Sequence, residues 1–261
     1  MSATTGVYPI DAWGLAITVL LVTIAAGISI KLKLGVARRM LWATARALVQ
    51  LLAMGFIIQA VIKLDNPAVS LSLIGVMVLA AVQIALAKGS GVSRGLWPQV
   101  LLTLAVSVLL EIVVITELVV RPAPWYAPEV LITMAGMLLG NVVTAVAIAL
   151  TRFFRDMRQR RGEVEMMLAL GATPAEAAKP SIVDAVKLGL LPTVSQLASS
   201  GLVLIPGMMA GQIIAGADPI LAAKYQFVVL AAISALTVIA DVLVLALTYR
   251  SIFTEDDQLR L

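Results

Sequence analysis

The sequence contains no cysteine and no histidine, and only 13% of its residues are charged. Without these side chains the chain cannot form disulfides, thiolate or imidazole metal sites, serine–histidine triads or histidine proton relays. Any metal ligand must therefore be a carboxylate, an amide, a methionine or the backbone. Because soluble proteins carry roughly 25% charged residues, the scarcity of charge also argues against a soluble domain.

Apolar residues are abundant instead, at 61% of the sequence with a mean hydropathy of +1.03. They fall in runs of about 16–23 residues, the length that a helix needs to cross a hydrocarbon layer of ~30 Å. The alternating pattern of barrel strands is absent. We predict an all-α integral membrane protein, a polytopic bundle with one transmembrane domain over residues 1–261. The expected spans number about seven: 13–30, 47–62, 68–87, 99–120, 130–151, 187–205 and 222–249.

The segment 187–219 is too long for one untilted span and too short for two. Pro206-Gly207 predicts a break in the backbone, with 208–216 forming a short outer helix or a re-entrant turn. The alternative is a helix that simply continues beyond the membrane.

Basic residues are concentrated on alternate loops. Sixteen of the 19 Lys and Arg residues lie in 31–46, 88–98, 152–187 and the C-terminal tail. Basic loops face the cytoplasm, which places the N-terminus outside and the C-terminus in the cytoplasm. This distribution accounts for the net charge of +4 without a nucleic-acid partner.

The longest loop, 152–187, carries strong helix signals. Gly171 is suited to end one helix, and the pattern Thr173 to Glu176, with Pro at the first helical position, predicts the start of another. Ser181 to Asp184 repeats the pattern and predicts a third. An apolar stripe at helical spacing precedes the glycine: Phe153, Phe154, Met157, Val164, Met167 and Leu168. Such an elbow suits either a partner protein or the lipid headgroups.

The run Glu165-Met166-Met167-Leu168-Ala169-Leu170-Gly171, followed by Ala172-Thr173, resembles the coupling-helix motif of ABC permeases. In that family the motif usually ends in Leu-Pro. Here Leu191-Pro192 lies further from the glycine than in importers, which argues against an ordinary importer subunit.

Four further segments, 45–52, 134–141, 205–212 and 223–226, resemble a bacterial family of iron-export ABC permeases related to plant permeases linked to aluminium tolerance. The resemblance covers about 13–250. It implies a homodimer in the bacterial inner membrane that exports a metal ion, with iron the expected one. A separate ABC ATPase would dock on the 152–187 loop, through Glu163, Glu165, Met167, Leu168, Gly171, Ala172 and Thr173.

The sequence contains no GxxxxGK[ST] phosphate-binding loop. We therefore expect that the partner subunit binds ATP, and that this chain holds no cofactor and is not itself an enzyme.

Ionisable residues within a span are costly and suggest function. Glu111, Glu117 and Asp241 are candidates for a cation pathway; the alternative is a protonated carboxyl that hydrogen-bonds to a neighbouring helix. Further candidate pathway residues are polar or carry sulfur: Asn141, Gln212, Met208 and Met209. For these, interhelical hydrogen bonds and apolar packing are the simpler explanations. An ion-gradient carrier that uses the carboxylates, and a non-transporting scaffold, remain alternative functions.

Overall fold

The computed structural model describes residues 11–89, 91–92, 94–254 and 258–259. Residues 1–10, which carry the predicted outer N-terminus, and Arg260 of the basic tail lie outside the described residues. Within those ranges the chain forms nine α-helices. They are α1 Ala12–Lys31, α2 Ala37–Leu64, α3 Pro67–Lys88, α4 Trp97–Val113, α5 Pro128–Gln159, α6 Arg161–Ala169, α7 Pro174–Ser199, α8 Gly207–Ile214 and α9 Pro219–Thr248.

Local sequence explains where several helices begin. The side chains of Asn66, Thr173 and Asp218 each accept a hydrogen bond from a free N–H in the first turn of the helix that follows. A proline follows each capping residue, where its missing N–H costs nothing and its fixed φ matches the helix.

Five helices are long and apolar enough to cross a membrane: Ala12–Lys31, Ala37–Leu64, Pro67–Lys88, Pro128–Gln159 and the α9 region to Ile252. These confirm the expected all-α membrane protein. The predicted fourth span corresponds to the shorter α4, followed by a π-helical segment, Val114–Val119. The predicted sixth corresponds to the second half of α7. The count of seven and the orientation across the membrane stay predictions.

Helix α5 lies at the centre of the bundle. It packs against α3, α4, α7 and α9, and its buried residues run from Pro128 to Met157. With 32 residues at 1.5 Å each it is about 48 Å long, so it extends well beyond a hydrocarbon layer of ~30 Å. By contrast, α1 and α2 form a peripheral hairpin with little buried surface.

The chain between α7 and α9 confirms the predicted short helix and corrects where the break begins. Helix α8 starts at Gly207, directly after Pro206, but α7 already ends at Ser199. Residues 200–204 therefore form a turn, in which the N–H of Leu204 donates to the carbonyl of Ser199 at 3.0 Å and Gly201 lies in the left-handed region at φ +86°. Helix α8 packs against α9, where the backbone N–H of Met209 donates to Gln226 Oε1 at 3.3 Å.

Candidate functional site

Three basic segments of the sequence, 88–98, 152–187 and the C-terminal tail, meet at one end of the bundle, which we call the basic end. Arg158 of α5 donates to the carbonyl of Gly91 in the α3–α4 connection at 3.1 Å. The C-terminal residues Gln258 and Leu259 lie beside Gly171. The end of α5, all of α6 and the first half of α7 project at this end and form what we call the elbow, residues 152–187.

Polar contacts fasten the two arms of the elbow. Arg152 donates to Asp184 at 2.6 Å. The hydroxyl of Ser181 donates to Asp156 Oδ2 at 2.6 Å and accepts from Arg160 at 2.9 Å. Because Ser181 is fully buried and both of its partners are charged, these bonds are stronger than ordinary neutral ones. They hold α5 and α7 in one arrangement.

This role of Ser181 corrects the prediction of a third helix in the elbow. Helix α7 runs without interruption from Pro174 to Ser199. The cap pattern from Ser181 to Asp184 starts no helix, because the hydroxyl of Ser181 binds Asp156 and Arg160, and Asp184 binds Arg152. The cap at Thr173 is confirmed, and its box includes both reciprocal hydrogen bonds with Glu176.

The apolar stripe of the elbow packs within the chain. Phe153, Phe154 and Met157 belong to α5 and are buried. On α6 Val164 is completely buried, while Met167 and Leu168 pack partly against the core. The stripe is therefore not free to enter a groove of a partner, because α7 already covers it.

Two other apolar residues face outward instead. Met166 is 58% exposed and Leu170 is 81% exposed. They are four residues apart on or next to α6, on the side opposite Val164. Neither residue is among the docking residues predicted from the sequence. Helical phase counted from the buried Val164 identifies both, because positions i+3 and i+4 turn inward whereas i+2 and i+6 turn outward.

Acidic residues of α6 are paired with arginines of the same turn. Glu163 accepts from Arg160 at 2.6 Å and Glu165 accepts from Arg161 at 2.8 Å. The hydrogen bond from Arg160 lowers the pKa of Glu163. Both predicted docking carboxylates remain exposed, so they present paired rather than isolated charge at the surface.

The turn between α6 and α7 is sharply defined. Gly171 has φ +93°, a conformation that residues with a side chain rarely adopt. Its N–H donates to Leu168, and the N–H of Ala172 donates to Met167. The backbone and hydroxyl groups of Thr173 both donate to Glu176, which lowers the pKa of that carboxyl.

A cleft of about 680 Å³ adjoins this turn. One wall is formed by the predicted docking residues Glu165, Leu168, Gly171, Ala172 and Thr173, and the other by Gln258 and Leu259. Leu259 is only 8% exposed and belongs to the same apolar core as Val164. The structure thus brings together most of the motif predicted from sequence, and adds a C-terminal wall that the sequence did not indicate.

The bundle also encloses two carboxylates. Glu111 on α4 is 2% exposed and Asp241 on α9 is 0% exposed. Neither forms an ion pair with any residue that the structure describes, and Glu111 Oε2 and both oxygens of Asp241 have no hydrogen-bond partner. Such groups are rare inside proteins because an unpaired buried carboxylate is costly.

Asp241 lies against Gly189 of α7 and close to the backbone of Ala145 in α5. A Cβ placed on Gly189 would contact Asp241 Oδ2 and would lie 3.1 Å from the carbonyl oxygen of Ala145. Three helices therefore approach closely at this point, and Gly189 provides the space that the carboxylate occupies.

The other predicted pathway residues are dispersed. Glu117 is exposed in the π-helical segment, and Asn141 donates to the Met137 carbonyl of its own helix. Met208, Met209 and Gln212 are half-buried on α8, far along the chain from the two carboxylates. Within the described residues no three Asp or Glu side chains are close enough together to hold a metal ion.

Comparison with known proteins finds a family whose model matches most of the chain. The model described as "Uncharacterised protein family (UPF0014)" matches residues 12–253. Similar proteins include the "UPF0014 membrane protein slr1647" of Synechocystis (32% identity; 87% of each chain). The "Probable iron export permease protein FetB" of Escherichia coli (strain K12) is 28% identical over 94% of this chain and 93% of its own.

The "Protein ALUMINUM SENSITIVE 3" of Arabidopsis thaliana is 29% identical over 94% of this chain and 88% of its own. No solved structure matches the chain. These relatives confirm the resemblance that the motifs indicated. The chain is a multi-pass membrane protein that belongs to the UPF0014 family.

Proposed function

We propose that this protein is the permease subunit of an ABC transporter and that a separate ATPase subunit docks on its elbow. The observation that carries this proposal is the exposed apolar surface at the tip of the elbow, by which we mean Met166 and Leu170. Two exposed apolar side chains, Met166 and Leu170, stand beside paired charges on a short helix whose base is fixed by Ser181 and Asp184. An apolar anchor with a polar rim on a rigid base is the usual composition of a protein-binding surface.

A rigid elbow also provides a way to transmit force. Because α7 is one helix from the elbow to Ser199, a displacement of its first turn moves the part that contacts Asp241. ATP binding by the partner would draw two elbows together and so change how α7 packs on α9. A surface helix that only rested among headgroups would need neither the buried Ser181 contacts nor a continuous α7.

The proposed cargo is a metal ion, with iron the first candidate. Support comes from the name of the Escherichia coli relative and from the unpaired carboxylates Glu111 and Asp241, since hard oxygen ligands suit such cations. Export rather than import is favoured by the position of Leu191-Pro192, which departs from the importer motif.

We further propose that two copies of the chain form the transporter. The hairpin of α1 and α2 leaves Gln50 and Gln59 exposed within a helix long enough to cross the membrane. Lipid cannot hydrogen-bond to these side chains, so a facing helix is a better environment for them. Because the chain has no cysteine, Gln50→Cys would report this contact directly by forming a disulfide-linked dimer, whereas Leu21→Cys on α1 should not.

The test of docking is co-purification with the ATPase subunit expressed together with the chain. Leu170→Asp should reduce recovery of the ATPase at least tenfold, because it places a charge in the centre of the apolar anchor. Leu34→Asp is the matched control, since Leu34 is an exposed leucine in the α1–α2 connection, which is a different basic segment of the chain. Equal recovery with both variants would refute docking at the tip.

A gradient-driven cation carrier is the second candidate, and the two unpaired carboxylates favour it equally. The two functions differ in their energy source. Metal efflux from proteoliposomes that contain the chain alone, driven by a pH gradient, would support the carrier. Efflux that requires both the ATPase and ATP would support the ABC permease.

A further inference from the structure

A second cavity lies at the basic end and is lined by residues of α3, α5 and α7. It has a volume of about 390 Å³. Three cationic side chains line it, Lys88, Arg152 and Arg155, together with the hydroxyl-bearing residues Thr144 and Thr151. Of this lining, only Arg152 has a role in the functions described above, through its bond to Asp184.

The positive charge around the cavity is only partly neutralised. Arg152 is paired with Asp184. Lys88 donates to Thr144 Oγ1 at 3.3 Å, but neither Lys88 nor Arg155 forms an ion pair with any residue in the described part of the chain. No acidic residue lines the cavity. Cations that surround one space repel each other unless an anion lies between them.

The remainder of the lining is apolar. Ala147, Ile148 and Leu188 provide most of the surface that the cationic side chains do not. An anion with no hydrocarbon part would gain nothing from these apolar side chains. A molecule with both a phosphate group and a hydrocarbon part would contact the cationic and the apolar parts of the lining. Basic pockets between transmembrane helices characteristically bind anionic lipid headgroups.

We propose that this cavity binds a phosphate group, held by Lys88, Arg155 and Arg152, and that its source is an anionic phospholipid. The phosphate would lie among the three cations and accept hydrogen bonds from them, with the acyl chains along Ile148 and Leu188. Leu188 and Thr144 directly adjoin Gly189 and Ala145 in sequence, and a Cβ on Gly189 would meet both Asp241 and the carbonyl of Ala145. A bound lipid therefore bridges α5 and α7 where these helices enclose the buried carboxylate.

The experiment uses the full chain, purified in detergent and stripped of lipid. Phosphatidylglycerol should remain bound in native mass spectra and raise the melting temperature, whereas phosphatidylcholine should do neither. Inorganic phosphate alone distinguishes the source: protection equal to that given by phosphatidylglycerol would retain the phosphate site but overturn the lipid. If phosphatidylglycerol gives no protection, the proposal is overturned.

Variants distinguish specific lipid binding in this cavity from nonspecific attraction to surface charge. Lys88→Gln combined with Arg155→Gln should weaken phosphatidylglycerol binding by about tenfold, since each basic residue near the surface contributes measurably to lipid attraction. Lys31→Gln combined with Lys33→Gln removes the same charge from the exposed α1–α2 connection and should have little effect. Ile148→Trp fills the cavity but keeps every cation, and it should also abolish retention. If Ile148→Trp binds normally while the double variant does not, only unspecific charge attraction operates and the proposed site is refuted.

Discussion

Gly189 of α7 packs directly against the carboxylate of Asp241 on α9. The carboxylate fills the volume that the Cβ of any larger residue at position 189 would need. The contact joins the helix that leaves the elbow to a helix that carries an unpaired buried carboxylate. Any movement of α7 must therefore change the surroundings of Asp241.

Replacing Gly189 with Ala should destabilise the protein. Ala favours a helix over Gly by up to about 1 kcal/mol, but the added Cβ meets both Asp241 and the Ala145 carbonyl, and overpacking costs about 1–3 kcal/mol. We expect a lower melting temperature in detergent. Gly140→Ala on α5 is the matched control, since a Cβ there meets nothing within 4 Å. Asp241→Ala should restore part of the loss in the double variant; strict additivity of the two changes would contradict the proposed contact.

The two buried carboxylates should be needed for transport but not for assembly. Glu111→Gln and Asp241→Asn keep the shape of the side chain and remove its acidity. We expect metal efflux to fall at least tenfold in each, with unchanged recovery of the ATPase. Glu129→Gln serves as the control, because Glu129 is exposed in the first turn of α5 and is not a pathway candidate. Normal efflux in the Asp241→Asn variant would remove Asp241 from the pathway.

Ser181 should connect the elbow to transport. Ser181→Ala removes two hydrogen bonds to charged partners inside a buried contact, and bonds of this kind contribute about 1.5–3 kcal/mol each. We predict a lower melting temperature and fewer ions moved per ATP hydrolysed, while the ATPase still docks through Leu170. The exposed Ser195 lies on the same helix, so Ser195→Ala should change neither quantity. Full coupling in Ser181→Ala would show that the contact is not needed for force transmission.

The stability of the first turn of α7 should depend on pH. Hydrogen bonds from Thr173 lower the pKa of Glu176 below its ordinary value of about 4.5, so the cap stabilises the helix fully above that value. The stabilisation is lost as the pH falls through the lowered pKa. Amide exchange at Ala177, corrected for intrinsic rate, should therefore show less protection near pH 3 than at pH 6. Glu176→Gln, which cannot titrate, should flatten the profile; the same pH dependence in that variant would assign the effect to another group.

Thr173→Ala should weaken the turn at every pH, by about 1 kcal/mol.

The C-terminal wall of the cleft should contribute to ATPase binding. Leu259 is buried against the core, and Thr254 and Gln258 exchange two hydrogen bonds. Leu259→Asp should lose the contact of this side chain with the core and weaken ATPase recovery several-fold, whereas Leu259→Met keeps an apolar side chain and should bind normally. Unchanged recovery in Leu259→Asp would show that the C-terminal wall does not contribute to docking.

The sequence by itself determined the class of protein, most helix positions, the turn at Gly171 and the cap at Thr173. These features depend on composition and on interactions between residues that are close together in the chain, so they can be inferred from the sequence alone. Helix phase along α6 also identifies Met166 and Leu170 once one buried residue is known.

Only the tertiary structure decided what the polar and apolar residues of the elbow contact. Ser181 looked like a helix cap because the local pattern is the same, but its hydroxyl binds Asp156, 25 residues away. The apolar stripe looked available to a partner until α7 was seen to cover it. Gly189 gave no signal in the sequence, since the reason for a glycine there is Asp241, on another helix and 52 positions further along. Contacts between distant segments depend on how the helices pack, and local patterns carry no record of that packing.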